Sequence, residues 1–222
     1  MAASAAGKLY AVGGYGMTVP FLRTALVFDG KRWRRLKPMP QGRAAGGAAI
    51  VDGKLYVVGG VAPTGLAETA FVLDLGTGTW STIPGPTPRE HLAVAAAGRR
   101  LYALAGRLGG VDSNLGTFEA YSPAEGRWET LAAVPEPRGG AGLALAGGLL
   151  VSVGGEGPDN TTIGSVFAYD LASGTWGKLP DVPTPRHGLA VVGIRGKVYA
   201  IGGSPIADLG FSTANEYLDP QS

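Results

Sequence analysis

A short run of β-forming residues that ends in two small residues recurs five times and dominates what this chain can fold into. Its copies are KLYAVGG at 8–14, KLYVVGG at 54–60, RLYALAG at 100–106, LLVSVGG at 149–155 and KVYAIGG at 197–203. The last residue of each copy follows the one before it by 46, 46, 49 and 48 residues. Such a period is typical of stacked supersecondary units, none of which can bury a core alone.

Each unit reads as four short strands, which we name a, b, c and d in chain order. In the unit from Arg138 to Pro185, the strands are predicted at 141–146, 149–155, 165–170 and 175–179. Short turns favour antiparallel pairing of consecutive strands, so each unit is predicted to be a meander.

Three further registers repeat with the same period. A tryptophan recurs in strand d, at Trp33, Trp80, Trp128 and Trp176, and an arginine recurs before strand a, at Arg43, Arg89, Arg138 and Arg186. The small-residue doublets contain Gly13, Gly14, Gly59, Gly60, Gly106, Gly154, Gly155, Gly202 and Gly203. We interpret these residues as repeated packing devices, in which large rings fill the space between sheets and glycines allow close backbone approach.

These residues identify the resemblance: Arg186, the doublet Gly202–Gly203 with Tyr199 before it, and Asp170 six residues before Trp176. The chain resembles kelch-repeat β-propeller proteins of the bacterial type over essentially its whole length. The resemblance implies an all-β fold of four-stranded antiparallel blades around a central channel, with strand a innermost and strand d outermost. Ala105, Val151 and Ser122 depart from the pattern within single blades.

The repeats give one propeller domain over residues 1–222, with units near 1–37, 43–84, 89–132, 138–180 and 186–222. There are five b and five c strands but four d strands, so the last blade is predicted to lack its outer strand. Two interpretations remain: a ring of five blades with one three-stranded blade, which we favour, or a piece of a longer propeller. The resemblance implies that the last blade is usually closed by a strand from the opposite terminus.

Charge and composition narrow the function classes. Lysine and arginine number 19 against 17 acidic residues, which argues against binding of nucleic acid or membrane. With no cysteine, the chain has no disulfide, no thiolate nucleophile and no Cys-ligated zinc. We expect no cofactor, no metal, no signal peptide, and a soluble protein for which the cytoplasm is favoured. The basic run 31–37 could contact phosphate, but it lies in strand d at the outer edge of blade 1. Lysine and arginine at such an edge commonly prevent pairing with other strands, and we favour that interpretation.

The b–c loops and d–a connections emerge on one face, which we call the loop face. It collects the long loops 15–23, 61–68, 107–116, 156–163 and 204–212. Loops held by a rigid scaffold commonly carry binding residues, so the loop face is the predicted site.

The candidate ligand-binding residues on this face are Arg43, Arg89, His91, Arg138, Arg186 and His187. The arginines could form a cationic ring that binds a carboxylate or acidic peptide. Alternatively, they could join neighbouring loops by bonding backbone carbonyls, and we favour this because a residue that recurs once per blade indicates a structural role. His91 and His187, with Glu90 nearby, could form a general base or metal pair, although they belong to blades that are not adjacent.

The sequence favours a non-enzymatic propeller that binds a protein or small ligand through the loop face around the channel. The alternative is a sugar-directed enzyme, similar to a mutarotase or epimerase, that uses arginine or histidine at the channel mouth. An enzyme should have a clustered acid/base pair with perturbed pKa values at the channel mouth, whereas a binding protein need not. We expect mostly monomers, with possible association through the open edge of the last blade.

Overall fold

The computed structural model describes residues 1–207 and 209–221, and it confirms an all-β chain of five antiparallel sheets. Blade 1 contains β1 (Ala2–Ala5), β2 (Lys8–Val12), β3 (Ala25–Phe28) and β4 (Trp33–Arg35). Blade 2 contains β5 (Gly47–Val51), β6 (Lys54–Val58), β9 (Thr69–Asp74) and β10 (Thr79–Pro84), with a small hairpin of β7 (Val61–Ala62) and β8 (Gly65–Leu66) in its b–c loop. Blade 3 contains β11 (Ala93–Ala97), β12 (Arg100–Leu104), β13 (Phe118–Ser122) and β14 (Arg127–Leu131).

Blade 4 contains β15 (Gly142–Ala146), β16 (Leu149–Val153), β17 (Val166–Asp170) and β18 (Thr175–Leu179). Blade 5 contains β19 (Ala190–Ile194), β20 (Lys197–Ile201) and β21 (Asn215–Leu218), in the order β19-β20-β21. The prediction that the last blade lacks its outer strand is therefore confirmed for the described residues. In that part of the chain, the helical structure amounts to one 3₁₀ turn at Val111–Ser113, and no helix is long and apolar enough to cross a membrane.

The inner strands pack side by side around the channel in the order β1, β5, β11, β15 and β19. Five blades are thus confirmed, but a closed ring is not seen, because no contact of this extent joins β19 to β1 among the described residues. The outward faces of the two end blades are uncovered as a result. On blade 5, Ile194 and Tyr217 are exposed, whereas Ala146 and Ala168 at the same positions of blade 4 are buried beneath the next blade.

The arginine and glycine registers together form a staple between neighbouring blades. The second glycine of each of the first four doublets donates its N–H to the arginine carbonyl of the next blade, as Gly60 does to Arg89 at 2.8 Å. The arginine side chain then turns back to the doublet of its own blade, as Arg186 Nε does to the Gly202 carbonyl at 2.8 Å. A Cβ atom on Gly60 would lie 2.3 Å from the Ala44 carbonyl oxygen, so the close approach requires glycine there.

The tryptophans bridge blades along the outer strands. The indole Nε1 atoms of Trp80, Trp128 and Trp176 donate to carbonyls of the preceding blade, at Lys37, Pro84 and Ala132. These three rings are half-buried rather than fully enclosed. Trp33 departs from the expected packing and is 49% exposed, because none of the described blades covers that side of blade 1.

Candidate functional site

Three repeat positions lie directly beside the staple, on the loop side of the channel. They are the residue after the arginine, the residue two after the arginine, and the residue after the doublet. The residue after the arginine pairs with the residue after the doublet in a single antiparallel bridge. These bridges are Ala44 with Val61, Glu90 with Arg107, Gly139 with Glu156, and His187 with Ser204. The staple fixes the backbone here but does not dictate the side chains, so chemistry can vary from blade to blade.

The residue two after the arginine forms a second circuit around the channel. His91 N–H donates to the Ala45 carbonyl at 2.7 Å, Gly140 N–H to His91 at 2.8 Å, and Gly188 N–H to Gly140 at 2.8 Å. All four residues have positive φ, and His91 has φ 53°. Glycine accepts this conformation freely, but a residue with a Cβ loses about 1–2 kcal/mol in it. His91 therefore occupies a slot in which the repeat favours glycine.

The four repeat arginines do not line the channel mouth. Arg43, Arg89, Arg138 and Arg186 are fully buried. Arg89 donates to the carbonyls of Thr87, Ala103 and Ala105 and pairs with Glu119, while Arg138 and Arg186 pair with Glu136 and Glu216. This geometry matches the structural alternative from the sequence, in which the arginines bond backbone carbonyls.

A cluster of charged and titratable side chains lies between blades 3 and 4. Arg107 is at its centre: its Nη1 donates to Glu156 Oε2, and its Nε lies 3.3 Å from Glu90 Oε1. Its Nη2 lies 3.3 Å from His91 Nε2, which accepts a hydrogen bond in the neutral Nδ1-protonated form. Glu90 and Glu156 are both buried, so one guanidinium faces two carboxylates with little solvent between them.

His187 brings blade 5 into the same cluster. Its Nδ1 lies 3.4 Å from Glu156 Oε1, and its Nε2 lies 2.8 Å from the Ile206 carbonyl oxygen, to which it donates. His91 and His187 therefore line one cavity although their blades are not adjacent, because Glu156 of blade 4 lies between them. The cavity has a volume of about 430 Å³, and Arg107, Asp112 and Asn160 also line it.

The pKa shifts reflect this crowding. Burial lowers the pKa of His91, and the positive charge of Arg107 lowers it further, against the opposing effect of Glu90 and Glu156. Tyr15, on the b–c loop of blade 1, belongs to the same electrostatic neighbourhood. Burial raises the pKa of Tyr15 and the negative charge of Glu90 raises it further, while Arg107 opposes the rise.

Of the six predicted ligand-binding residues, His91 and His187 line one cavity, and the four arginines are buried within their own blades. Sequence reasoning missed Arg107 and Glu156, which begin two of the long loops. Aligning the residue after each doublet would have found them, because Tyr15, Val61, Arg107, Glu156 and Ser204 share that position. Within residues 1–207 and 209–221, no group of three or more histidine, aspartate or glutamate side chains is arranged to hold a metal ion.

The five sheets and their central channel define a β-propeller, and the arginine, glycine-doublet and tryptophan registers define its class. The model of the KLHDC2/KLHL20/DRC7 Kelch-repeats domain matches residues 1–203, so the chain belongs to the kelch-repeat family. Kelch propellers commonly mediate protein binding.

Curated relatives match part of the chain. Human Kelch repeat and BTB domain-containing protein 13 is 37% identical over 123 residues, which cover 53% of this chain and 26% of that protein. Human Kelch domain-containing protein 8B is 34% identical over 144 residues, which cover 59% of this chain and 40% of that protein. The chain thus spans well under half of these relatives. The solved structure of YjhT is similar with a TM-score of 0.76 and 17% identity over 91% of this chain and 71% of that one, which supports the fold.

Proposed function

We propose that this kelch propeller is a non-enzymatic binding protein whose loop face holds a protein or small ligand, with the cavity beside His91 and His187 as its centre. One observation carries the proposal: a cavity with a buried charged floor lies on the face whose b–c loops carry exposed apolar side chains. Those side chains are Met17, Val19, Leu108, Ile206, Leu209 and Phe211, of which Leu209 lines the cavity itself. Among the described residues, the short turns of the opposite face carry no exposed large apolar side chain.

The chemistry of the loop face fits a protein partner in particular. Exposed apolar groups around a polar centre are typical of interaction sites, because the apolar rim excludes water from the polar contacts. The left-handed backbone of His91 is shared by Ala45 in blade 2 and is filled by Gly140 and Gly188 in blades 4 and 5. The ring that His91 presents to the cavity from this position supports a role for its side chain.

The test uses the intact chain in two experiments. It serves as bait in a partner pull-down, and it is screened by thermal shift against sugars, organic acids and amines. His91→Gly removes the side chain and the strain together, so it should abolish ligand binding while unfolding stability is unchanged or rises by up to about 1 kcal/mol. Arg99→Ala, on the opposite face and 84% exposed at its side chain, is the control and should bind as the wild type does. Equal ligand binding by His91→Gly and the wild type would exclude the cavity as the centre of the site.

The second candidate is a small-molecule enzyme that uses the same cavity. It is favoured by the clustered acid/base groups, because His91, Glu90 and Glu156 meet around Arg107 and the pKa of His91 is shifted. A screen of free sugars by exchange NMR would show saturation transfer between anomers that Glu156→Gln abolishes. If every ligand from the first screen binds tightly and none is turned over, the enzyme is excluded and the non-enzymatic proposal stands.

A further inference from the structure

A second cavity lies between blades 1 and 2, beside the c–d turn of blade 2 and away from the loop face. It has a volume of about 150 Å³. Tyr10 and Leu36 of blade 1 and Leu73 of blade 2 belong to its apolar walls. Lys8 and Lys37 also line it, and both are exposed. We call this cavity the inter-blade slot.

The repeat shows what fills the same position in the two blades that follow. Leu73 of β9 has the strand register of Tyr121 in β13 and Tyr169 in β17, each opposite the tryptophan of its blade. Both tyrosines are buried, and the ring of Tyr121 lies 6.2 Å from that of Tyr56 in the preceding blade, centroid to centroid. Tyr10 is the counterpart of Tyr56 in blade 1, and it lines the slot together with Leu73. The slot is therefore the space that a tyrosine ring occupies between later blades.

Two lysines make the mouth of the slot positive. Among the described residues, neither Lys8 nor Lys37 forms an ion pair. Of the described residues that line the slot, Asp74 carries the one carboxylate, which accepts the N–H groups of Gly76 and Thr77 in its own turn. Those hydrogen bonds hold Asp74 in the turn, and the lining residues keep an excess of positive charge.

Lys37 departs from the repeat, as Leu73 does. Its carbonyl accepts the Trp80 indole N–H at 2.8 Å, and the carbonyls that accept from the next two tryptophans belong to Pro84 and Ala132. The tryptophan uses the main chain at this position, so the side chain is free to differ between blades. One departure empties a ring-sized space and the other places a cation beside it, and both meet at the same cavity.

We propose that the inter-blade slot binds a small aromatic acid, whose ring takes the place of the repeat tyrosine and whose carboxylate lies beside the two lysines. A cavity of about 150 Å³ is large enough for a benzene ring. The apolar walls stabilise the ring, and charge-assisted hydrogen bonds from the ammonium groups orient the carboxylate. Apolar walls with a few polar groups at fixed points are typical of small-molecule sites. The slot shares no lining residue with the loop-face cavity among the described residues, so this site is separate from the proposed one.

The probe is 4-fluorobenzoate, which is titrated into the full chain and followed by its ¹⁹F resonance. We expect saturable binding with a Kd of about 1 mM or tighter, as the size of the ligand allows. 4-Fluorobenzamide has the ring without the charge and should bind about tenfold more weakly, because it forms no charge-assisted hydrogen bond. Acetate has the charge without the ring and should not displace the probe at the same concentration.

The repeat itself supplies the variants. Leu73→Tyr introduces the residue of blades 3 and 4, so it should fill the slot, abolish binding and leave the melting temperature no lower than that of the wild type. Lys37→Ala introduces the residue of blade 3 and should weaken binding about threefold or more, as the loss of an exposed ion pair does. Lys197→Ala changes the counterpart of Lys8 in blade 5 and is the matched control, in which affinity should not change.

Three results would overturn the proposal: no saturable binding of 4-fluorobenzoate, equal affinity of 4-fluorobenzamide, or binding that survives Leu73→Tyr. If binding survives Leu73→Tyr and is lost in His91→Gly, the probe occupies the loop-face cavity instead. The comparison of the two fluorinated ligands uses the wild-type chain, so it decides the question even if Leu73→Tyr fails to fold.

Discussion

Arg89 and Arg43 provide a matched pair of buried arginines with opposite expected consequences. Arg89 pairs with Glu119, which is also nearly buried, and donates to three carbonyls. Arg43 donates to the carbonyls of Gly59 and Thr69 and packs on the ring of Phe71, and its Nε and Nη2 find no hydrogen-bond partner among the described residues. Burial lowers the pKa of Arg43 to about 10, and no carboxylate opposes this shift as Glu119 does for Arg89.

Arg89→Met should therefore destabilise the chain by about 3–5 kcal/mol, because it leaves the Glu119 carboxylate buried without its cation. For a protein of this size, that is a fall in melting temperature of about 6–20 °C. Arg43→Met should change the free energy of unfolding by about 1 kcal/mol or less, since methionine keeps the packing and removes a poorly paired charge.

The assay is urea unfolding of wild type and both variants, followed by far-UV circular dichroism. Adding Glu119→Gln to Arg89→Met should restore part of the loss, because the neutral amide needs no counter-ion. Equal losses for Arg89→Met and Arg43→Met would refute the argument, since they would mean that the staple to the glycine doublet, and not the ion pair, determines the cost.

Three further predictions rest on single features. Trp128→Ala should lower the free energy of unfolding by about 2–3 kcal/mol in thermal denaturation, because the indole is half-buried and its Nε1 donates to the Pro84 carbonyl. Loss of a fully buried ring would lower it by about 3–5 kcal/mol. Trp33→Ala removes an exposed ring and should lower it by less than about 1 kcal/mol. The lowered pKa of His91 means that the unfolded chain takes up a proton below pH 6.5 while the folded chain does not, so stability should be complete above that pH and fall below it. His91→Gly should remove this part of the pH slope in unfolding titrations. Elemental analysis of protein purified without chelator should find no stoichiometric zinc, iron or copper, and one equivalent of any of them would reassign His91 and His187.

The fold was predictable because each repeat device has one physical solution. A small-residue doublet that receives an arginine side chain leaves few alternatives for the backbone, and four copies of this pair at one period remove the rest. The exposure of Trp33 could not be foreseen from its register, since a residue's burial depends on whether a neighbouring blade covers it. The same holds for the open faces of blades 1 and 5, which follow from the lack of an extensive contact between β19 and β1 among the described residues.

The site was less predictable, because its residues are few and differ from blade to blade. The repeat arginines were easy to see in the sequence because they recur with the period of the repeat. They recur because the same structural contact is made in blades 2 to 5. Arg107 and Glu156 were inconspicuous because each occurs once at its repeat position, where valine, serine and tyrosine are also accepted. Only the folded geometry shows that Arg107 of blade 3 and His187 of blade 5 both reach the Glu156 carboxylate of blade 4.

Function in a repeat protein is best sought where a residue opposes the repeat rather than where it obeys it. His91 adopts a left-handed backbone at a position that glycine fills in blades 4 and 5, and its ring is held against Arg107. Glu90 and Glu156 are buried at positions that Ala44 and Val61 fill in blade 2 without any need for a counter-ion. Each exception reduces stability relative to the alternative that the chain itself uses elsewhere, and the exceptions converge on one cavity. Arg107 pairs with both carboxylates, and we propose that the three exceptions together serve the ligand that the loop face is proposed to hold.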